Sequence, residues 1–337
     1  MPSGTDATMT DDAGAEPGEF ERIRRYFEPL AGPGGLGLRD DAALVDCRQG
    51  QRLVMTADAI VEGVHYLPDD PPELVARKLL RVNLSDLAAM GARPLSYLLT
   101  TALPAARGAA WIAAFARGLA EDQRQFGIAL IGGDSVATSG PAVLSLTAIG
   151  EVATGAEIRR SGARSGDTVW VSGTIGDAAL GLWLLRGTDA GLPDEHRAAL
   201  IGRFRLPEPR VALGPALRGI AHAMIDVSDG LLADLGHICE TSGCAATVTL
   251  DALPLSAAAQ AIVAQDEAQR AGLATGGDDY ELLFTAAAAA GDRIVGLSAA
   301  FGLPITAIGR IEAGAGVRLV DTAGHAITVE TPGYRHF

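Results

Sequence analysis

Two short motifs occur twice in this chain, in the same order and at nearly the same spacing. Asp86 of Ser85-Asp86 precedes Asp134 of Gly132-Gly133-Asp134 by 48 residues, and Asp229 of Ser228-Asp229 precedes Asp278 of Gly276-Gly277-Asp278 by 49. The copies are offset by 143 and 144 residues, which predicts two related α/β halves meeting around a shared site. A length of 337 residues also exceeds one comfortable hydrophobic core and favours two domains. The break is expected in the polar stretch Gly155 to Ser165, giving an N-terminal α/β domain over residues 19–155 and a C-terminal one over 156–337. Residues 1–18 are small and acidic, without a basic or apolar leader, and read as a disordered tail rather than a secretion signal.

Strand-like apolar runs alternate with helical patterns throughout, the mark of an α/β or α+β architecture. Leu53 to Ile60 reads as a buried strand carrying Asp58. Pro71-Pro72-Glu73 opens a helix that ends near Gly91 and Pro94, and a second helix follows from Ala109 to Phe126. Ile128 to Ile131 reads as a short strand ending in a Gly132-Gly133-Asp134 turn, and Ala142 to Val152 as another strand. Thr168 to Ser172 leads through Gly173-Thr174-Ile175-Gly176 into a helix over Asp177 to Leu185. Met224 to Val227 is a strand, and Ser228 or Asp229 is placed to cap a helix over Leu231 to Cys239.

Several function classes are excluded early. A formal charge of −14 argues against sequence-independent nucleic-acid binding, and no run of about 18 apolar residues is present to span a membrane. Three cysteines, Cys47, Cys239 and Cys244, make no disulfide framework and point to a reducing cytoplasm. Lys78 is the only lysine. Neither a Walker A loop nor a protein-kinase strand lysine can therefore exist, and any nucleotide chemistry proceeds without a lysine clamp. Serine-hydrolase, zincin and dinucleotide-binding motifs are also missing.

What remains is a set of aspartates at the ends of apolar runs. Any one of them reads most simply as a cap or a solvated loop residue. Asp86 resists that reading, because it sits mid-helix and shares a helix face with Asn83, three residues away. Brought together, such carboxylates repel by about 4 kcal/mol per pair at 4 Å and an effective dielectric of about 20, unless they protonate or hold hard cations. Oxygen ligands without histidine or cysteine select magnesium, which keeps sites for substrate phosphates. Gly173 to Gly176 before a helix either cradles a phosphate or is a plain tight turn. Arg159-Arg160 is either a solvated pair or a phosphate clamp.

At this point the residues resemble a family, the thiamine-monophosphate kinases, within the superfamily of aminoimidazole ribonucleotide and selenophosphate synthetases. The resemblance is carried by Asp40-Asp41-Ala42-Ala43-Leu44, Thr56-Ala57-Asp58, Gly63-Val64-His65 and the run Val82 to Ala92. It continues through Ile131 to Asp134, Arg160 to Ala163, Ile225 to Gly230, Gly276 to Leu282 and the terminal Gly333 to Phe337. It implies several magnesium ions held by Asp41, Thr56, Asp58, Asp86, Asp134, Asp226 and Asp229. It further implies ATP contacts at Gly133, Arg160 and Ser228, and thiamine-monophosphate contacts at His65, Asp278 and Tyr334. The implied fold is a homodimer whose N-terminal halves share a β-barrel, with the C-terminal half closing the active site. The chain departs from the family at Arg39, Ala57 and Asp278, where glycine, threonine and glutamate are usual.

The implied reaction is direct in-line transfer of the ATP γ-phosphoryl group to thiamine monophosphate. Its acceptor is already anionic, so no general base or nucleophilic side chain is assigned. The alternatives are another ATP-dependent synthetase of the superfamily and a non-catalytic nucleotide- or thiamine-phosphate-binding protein.

Overall fold

The computed structural model describes residues 19–40, 42–188 and 190–334; the expected tail over 1–18, Asp41 and the terminal residues 335–337 lie outside the described residues. The architecture is mixed α/β, in two related halves, each built on its own sheet. The first half opens with a one-turn helix, α1 (Glu19–Arg22), followed by short helical turns. Its strands are β1 (Gln51–Val61), β2 (Arg93–Pro104), β3 (Ala129–Thr138) and β4 (Val143–Ala153), in the order β1-β4-β2-β3. Strand β4 runs antiparallel to both β1 and β2, and β2 runs parallel to β3.

Parallel strands need crossovers. The crossovers are helices α2 (Pro72–Ala89) and α3 (Ala109–Phe126), which cover one face of the sheet with a core including Leu79, Leu84, Phe115 and Leu146. The opposite face leaves Leu53, Met55 and Val136 exposed. This sheet is open within the chain, with β1 and β3 at its edges.

The second half has the sheet order β11-β10-β7-β9-β5-β8-β6. These strands are β5 (Thr168–Ser172), β6 (Ala221–Asp226), β7 (Ala245–Thr249), β8 (Leu282–Ala286), β9 (Ile305–Glu312), β10 (Gly316–Val320) and β11 (Ala326–Ile327). All neighbours are antiparallel except β7 and β10. Its helices are α4 (Asp177–Leu185), α5 (Asp194–Arg205), α6 (Leu213–Ala216), α7 (Leu231–Ser242), α8 (Ala257–Val263), α9 (Gln269–Leu273) and α10 (Gly291–Phe301). Helix α7 buries Leu231, Leu235 and Ile238 against the sheet residues Ile225, Leu283 and Ile308.

Helix α2 joins the halves. It starts on Pro72 and Glu73, as N-terminal proline and acid favour, and packs against β1 and β4 on one side and β6 and α6 on the other. Arg81, 2% exposed, bonds Asp122 of α3 at 2.7 Å and reaches Glu208 and the Pro207 carbonyl of the second half at 2.9 Å. With both flanks covered, α2 can carry a carboxylate that no exposed amphipathic helix would bury.

Three local expectations change, the first being that β1 is not a buried strand: its sheet is covered by helices on one face only, which leaves Leu53 and Met55 exposed. Strand β2 was not anticipated, because its start at Arg93-Pro94 coincides with the helix stop signal and its apolar run lacks clean alternation. Strand β3 continues to Thr138, so Gly132-Gly133-Asp134 lies inside a strand rather than in a turn. A Cβ on Gly133, at φ 152°, would stand 1.8 Å from the Leu99 carbonyl oxygen. That glycine serves close strand approach beside the register shift at Tyr97/Leu98. No helix among the described residues is long and apolar enough to cross a membrane.

Candidate functional site

Between the halves lies a cleft of about 820 Å³, lined by Asp58, His65 and Asp86 from the first half and by Asp226, Ser228, Asp229, Asp278 and Tyr334 from the second. Three carboxylates converge at its floor. Asp58 stands on β1, where its N–H donates to Asn83 Oδ1 at 3.2 Å and its carbonyl accepts from Ser145 Oγ at 3.2 Å. Asp86, one turn beyond Asn83 on α2, accepts a 2.5 Å hydrogen bond from Thr56 Oγ. The shared helix face of Asn83 and Asp86 therefore grips alternate residues of one strand. Asp226 ends β6 and is 3% exposed.

The electrostatics of this floor are severe. Burial, then the Asp86 charge, pushes the Asp58 carboxyl up to about 6. Burial, then the same Asp86 charge, pushes Asp226 up to about 8. Burial also raises Asp86 itself. Ser85, next to Asp86 on α2, is fully buried, and its hydroxyl bonding to Asp226 offsets part of the rise at Asp226. Crowded, buried acids raised in this way, with oxygen donors alone around them, fit a hard divalent cation, which would hold the carboxylates ionised.

The other expected ligands are distributed more widely. Asp229 lines the same cleft but at the start of α7. Asp134 lines a separate cavity of about 580 Å³, together with Gly133 and Asp40. Pairing register explains the separation. Asp58 aligns with Leu146, Leu99 and Gly133, whereas Asp134 aligns one row over with Thr100 and Ser145, on the opposite alternation of the sheet. Asp41 lies outside the described residues.

Of the expected nucleotide contacts, Arg160 is exposed and its charge stabilises ionised Asp86. Its neighbour Arg159 pairs with Glu157 at 2.6 Å. Ser228 lies in the loop before α7. Neither Ser228 nor Asp229 caps that helix: Asp234 reaches back, and its Oδ2 accepts the N–H groups of Ser228, Asp229 and Gly230 at 3.1 Å each. No local spacing rule pointed to this buried acid inside the first helical turn. The Gly173 to Gly176 loop is the plain turn, not a phosphate cradle, because Asp279 already accepts the Gly176 N–H at 2.7 Å and the Ala178 N–H at 3.3 Å.

The expected acceptor contacts share one wall. His65 Nδ1 accepts the Val61 N–H at 3.1 Å, Asp278 is part-exposed, and Tyr334 donates its N–H to the Asp229 carbonyl at 2.9 Å. Trp183, Arg186 and Phe204 line the cleft beside them and were not singled out from the sequence, since an apolar helix pattern such as Leu180 to Leu185 reads as core.

Comparison with known proteins bears on the chain as a whole. Residues 39–152 match the AIR synthase related protein N-terminal domain, and residues 164–322 match the corresponding C-terminal domain. The chain is 45% identical over 329 residues to the thiamine-monophosphate kinase of Caulobacter vibrioides, covering 96% of this chain and 92% of that one. A crystal structure of thiamine-monophosphate kinase from Stenotrophomonas maltophilia superposes with TM-score 0.78 and 46% identity, over 86% of this chain and 91% of that one. AaThiL complexed with AMPPCP and TMP superposes with TM-score 0.75 and 31% identity, over 95% of this chain and 97% of that one.

Proposed function

The chain belongs to the thiamine-monophosphate kinases of the AIR synthase related family, and from that premise we infer that it transfers the γ-phosphoryl group of ATP to thiamine monophosphate, giving thiamine diphosphate. The observation that carries this reading is the meeting of Asp58 and Asp86 with Asp226 across the two halves, at the floor of a cleft wide enough for two phosphorylated ligands.

We assign magnesium to that floor, held by Thr56, Asp58, Asp86 and Asp226, with Asp229 at its margin. Asp134, which lines the separate cavity, and Asp41 are proposed as further magnesium ligands on the family resemblance. Bound there, magnesium supplies charge screening and alignment of phosphate oxygens. The chain's own residues orient the substrates. Gly133, Arg160 and Ser228 bind the nucleotide, Arg160 adding a cation beside the acidic floor. His65, Asp278 and Tyr334 bind the acceptor. The attacking oxygen belongs to a phosphate monoester already ionised near neutral pH, so no side chain need remove a proton. The problem solved is apposition of two anions.

We further propose that residues 19–155 and 156–337 act as the two domains, the second closing the site over the first. The exposed apolar face at Leu53, Met55 and Val136 and the open edges of the four-stranded sheet support a homodimer in which two such sheets close a barrel. A cytoplasmic location is consistent with Cys47, Cys239 and Cys244 being unpaired.

Pure protein incubated with ATP, magnesium and thiamine monophosphate should yield thiamine diphosphate and ADP in equal amounts. Binding of both ligands without a diphosphate product would support a non-catalytic protein instead. Turnover of a different acceptor in a panel, with none of thiamine monophosphate, would favour another activity of the superfamily.

A further inference from the structure

Lys78 is the chain's only lysine, and the fold buries it in the middle of α2, where its side chain is 2% exposed. A buried ammonium persists only when its donors are satisfied. Here they are. Nζ donates to the His65 carbonyl at 2.9 Å and to Asp278 Oδ2 at 3.0 Å, and it stands 3.8 Å from the centroid of the Phe204 ring. These partners come from the turn after β1, the loop before β8 and helix α5. His65, Asp278 and Phe204 all line the cleft, and Lys78 lies behind them.

Asp278 is constrained from its other side as well. Tyr280 Oη donates to Asp278 Oδ1 at 3.2 Å, and the Asp278 N–H bonds the Ser228 carbonyl at 2.8 Å. Its backbone sits at φ 70°, a region that a non-glycine residue occupies only when its surroundings hold it there. One carboxylate oxygen is thus tied to each half of the molecule, and the remaining lone pairs are left to the cleft, where Asp278 is 30% exposed.

We propose that Lys78 is a positioning residue for the heterocyclic, cationic end of the acceptor. By locking the Asp278 carboxylate and the His65 turn into one wall, it presents a fixed anionic acceptor to a heterocyclic group that carries an amino N–H donor on one ring and a positive charge on the other. The phosphate end is left to the acidic floor. This rests on the reading of His65 and Asp278 as acceptor contacts. A compact ammonium suits the task, since the wider, planar guanidinium of arginine cannot take the same three partners in place.

The lone lysine makes the test direct. Protein grown with lysine labelled at the ε-carbon gives one side-chain NMR signal, from Lys78. Saturating thiamine monophosphate should shift that signal, and a non-hydrolysable ATP analogue alone should leave it in place. In steady-state assays Lys78→Met should raise KM for thiamine monophosphate about tenfold or more, with KM for ATP changed less than about threefold. Lys78→Arg should recover part of the loss. Lys78→Met combined with Asp278→Asn should be no worse than the poorer single variant, because the lysine acts through that carboxylate. A signal unmoved at acceptor concentrations that saturate turnover, equal rises in both KM values, or additive losses would each overturn the proposal. If Lys78→Met fails to fold, the titration of unmodified protein decides alone. A wild-type protein that does not phosphorylate thiamine monophosphate would sink the proposed function rather than this inference.

Discussion

Thr56 Oγ donates a 2.5 Å hydrogen bond to Asp86 Oδ2, so a β1 hydroxyl is spent on orienting a carboxylate that α2 buries beside Asp58 and Asp226. Such an arrangement stores repulsion in the free protein. Asp86→Asn relieves that repulsion and removes a proposed cation ligand together. The expected outcome is a loss of turnover on the order of 10²–10³-fold, with the melting temperature unchanged or raised. Asp58→Asn should behave alike. Wild-type-like rates in both variants would show that the cation binds elsewhere.

The same cluster predicts a linkage. Magnesium should raise the melting temperature of the wild type, by about 2.7 kcal/mol of stability at one hundred times its dissociation constant. Chelation should abolish turnover, and re-addition should restore it. The thermal shift should shrink strongly in Asp86→Asn, measured in the same buffer by calorimetry.

Gly133→Ala tests the β2–β3 contact. Its Cβ would meet the Leu99 carbonyl oxygen at 1.8 Å, backbone that cannot swing aside as a side chain can. A loss of about 2–4 kcal/mol is expected in urea unfolding. Ordinary stability in this variant would mean that β3 pairs differently.

Asp234→Ala removes the single oxygen that accepts the Ser228, Asp229 and Gly230 N–H groups. A cost of about 1–2 kcal/mol is expected, as for loss of a helix cap. KM for ATP should also rise, because the same loop presents Ser228. An unchanged nucleotide KM would detach that loop from the nucleotide site.

Asp279 predicts a pH dependence. Burial pushes its carboxyl from 3.8 up to about 8. The folded state therefore binds a proton that the unfolded state releases between about pH 4 and pH 8, so this group's contribution is full below pH 4 and is lost as pH rises through 8. Asp279→Asn should flatten that decline, gaining on the wild type as pH rises across the window. Parallel stability curves for the two proteins, measured by denaturant titration, would contradict this sign.

Much of the local structure is legible in the sequence. The helix expected over Ala109 to Phe126 and the strand over Thr168 to Ser172 occupy those residues, because their periodicity and end signals are strong. Strand β2 escaped notice because a central strand covered on one face by helices and starting on Arg93-Pro94 shows neither alternation nor a clean boundary. Asp234 escaped because its role depends on a loop curling back over its own helix. In the sequence the solitude of Lys78 says only what is excluded, a lysine clamp on phosphate. Its partner Asp278 lies 200 residues away in the chain, a relation no local pattern encodes.

From composition and motif alone, this polypeptide determined its mixed α/β class, the oxygen-rich character of its site and its family. Those properties reside in residue type and spacing along one dimension. Which acids share a floor was decided only by strand register and by α2 wedging between two sheets. Register sends Asp58 and Asp134 to opposite sides of one sheet, while packing brings Asp226 to Asp86 across the two halves. Side-chain alternation and interdomain contact are properties of three-dimensional pairing, and only the folded chain expresses them.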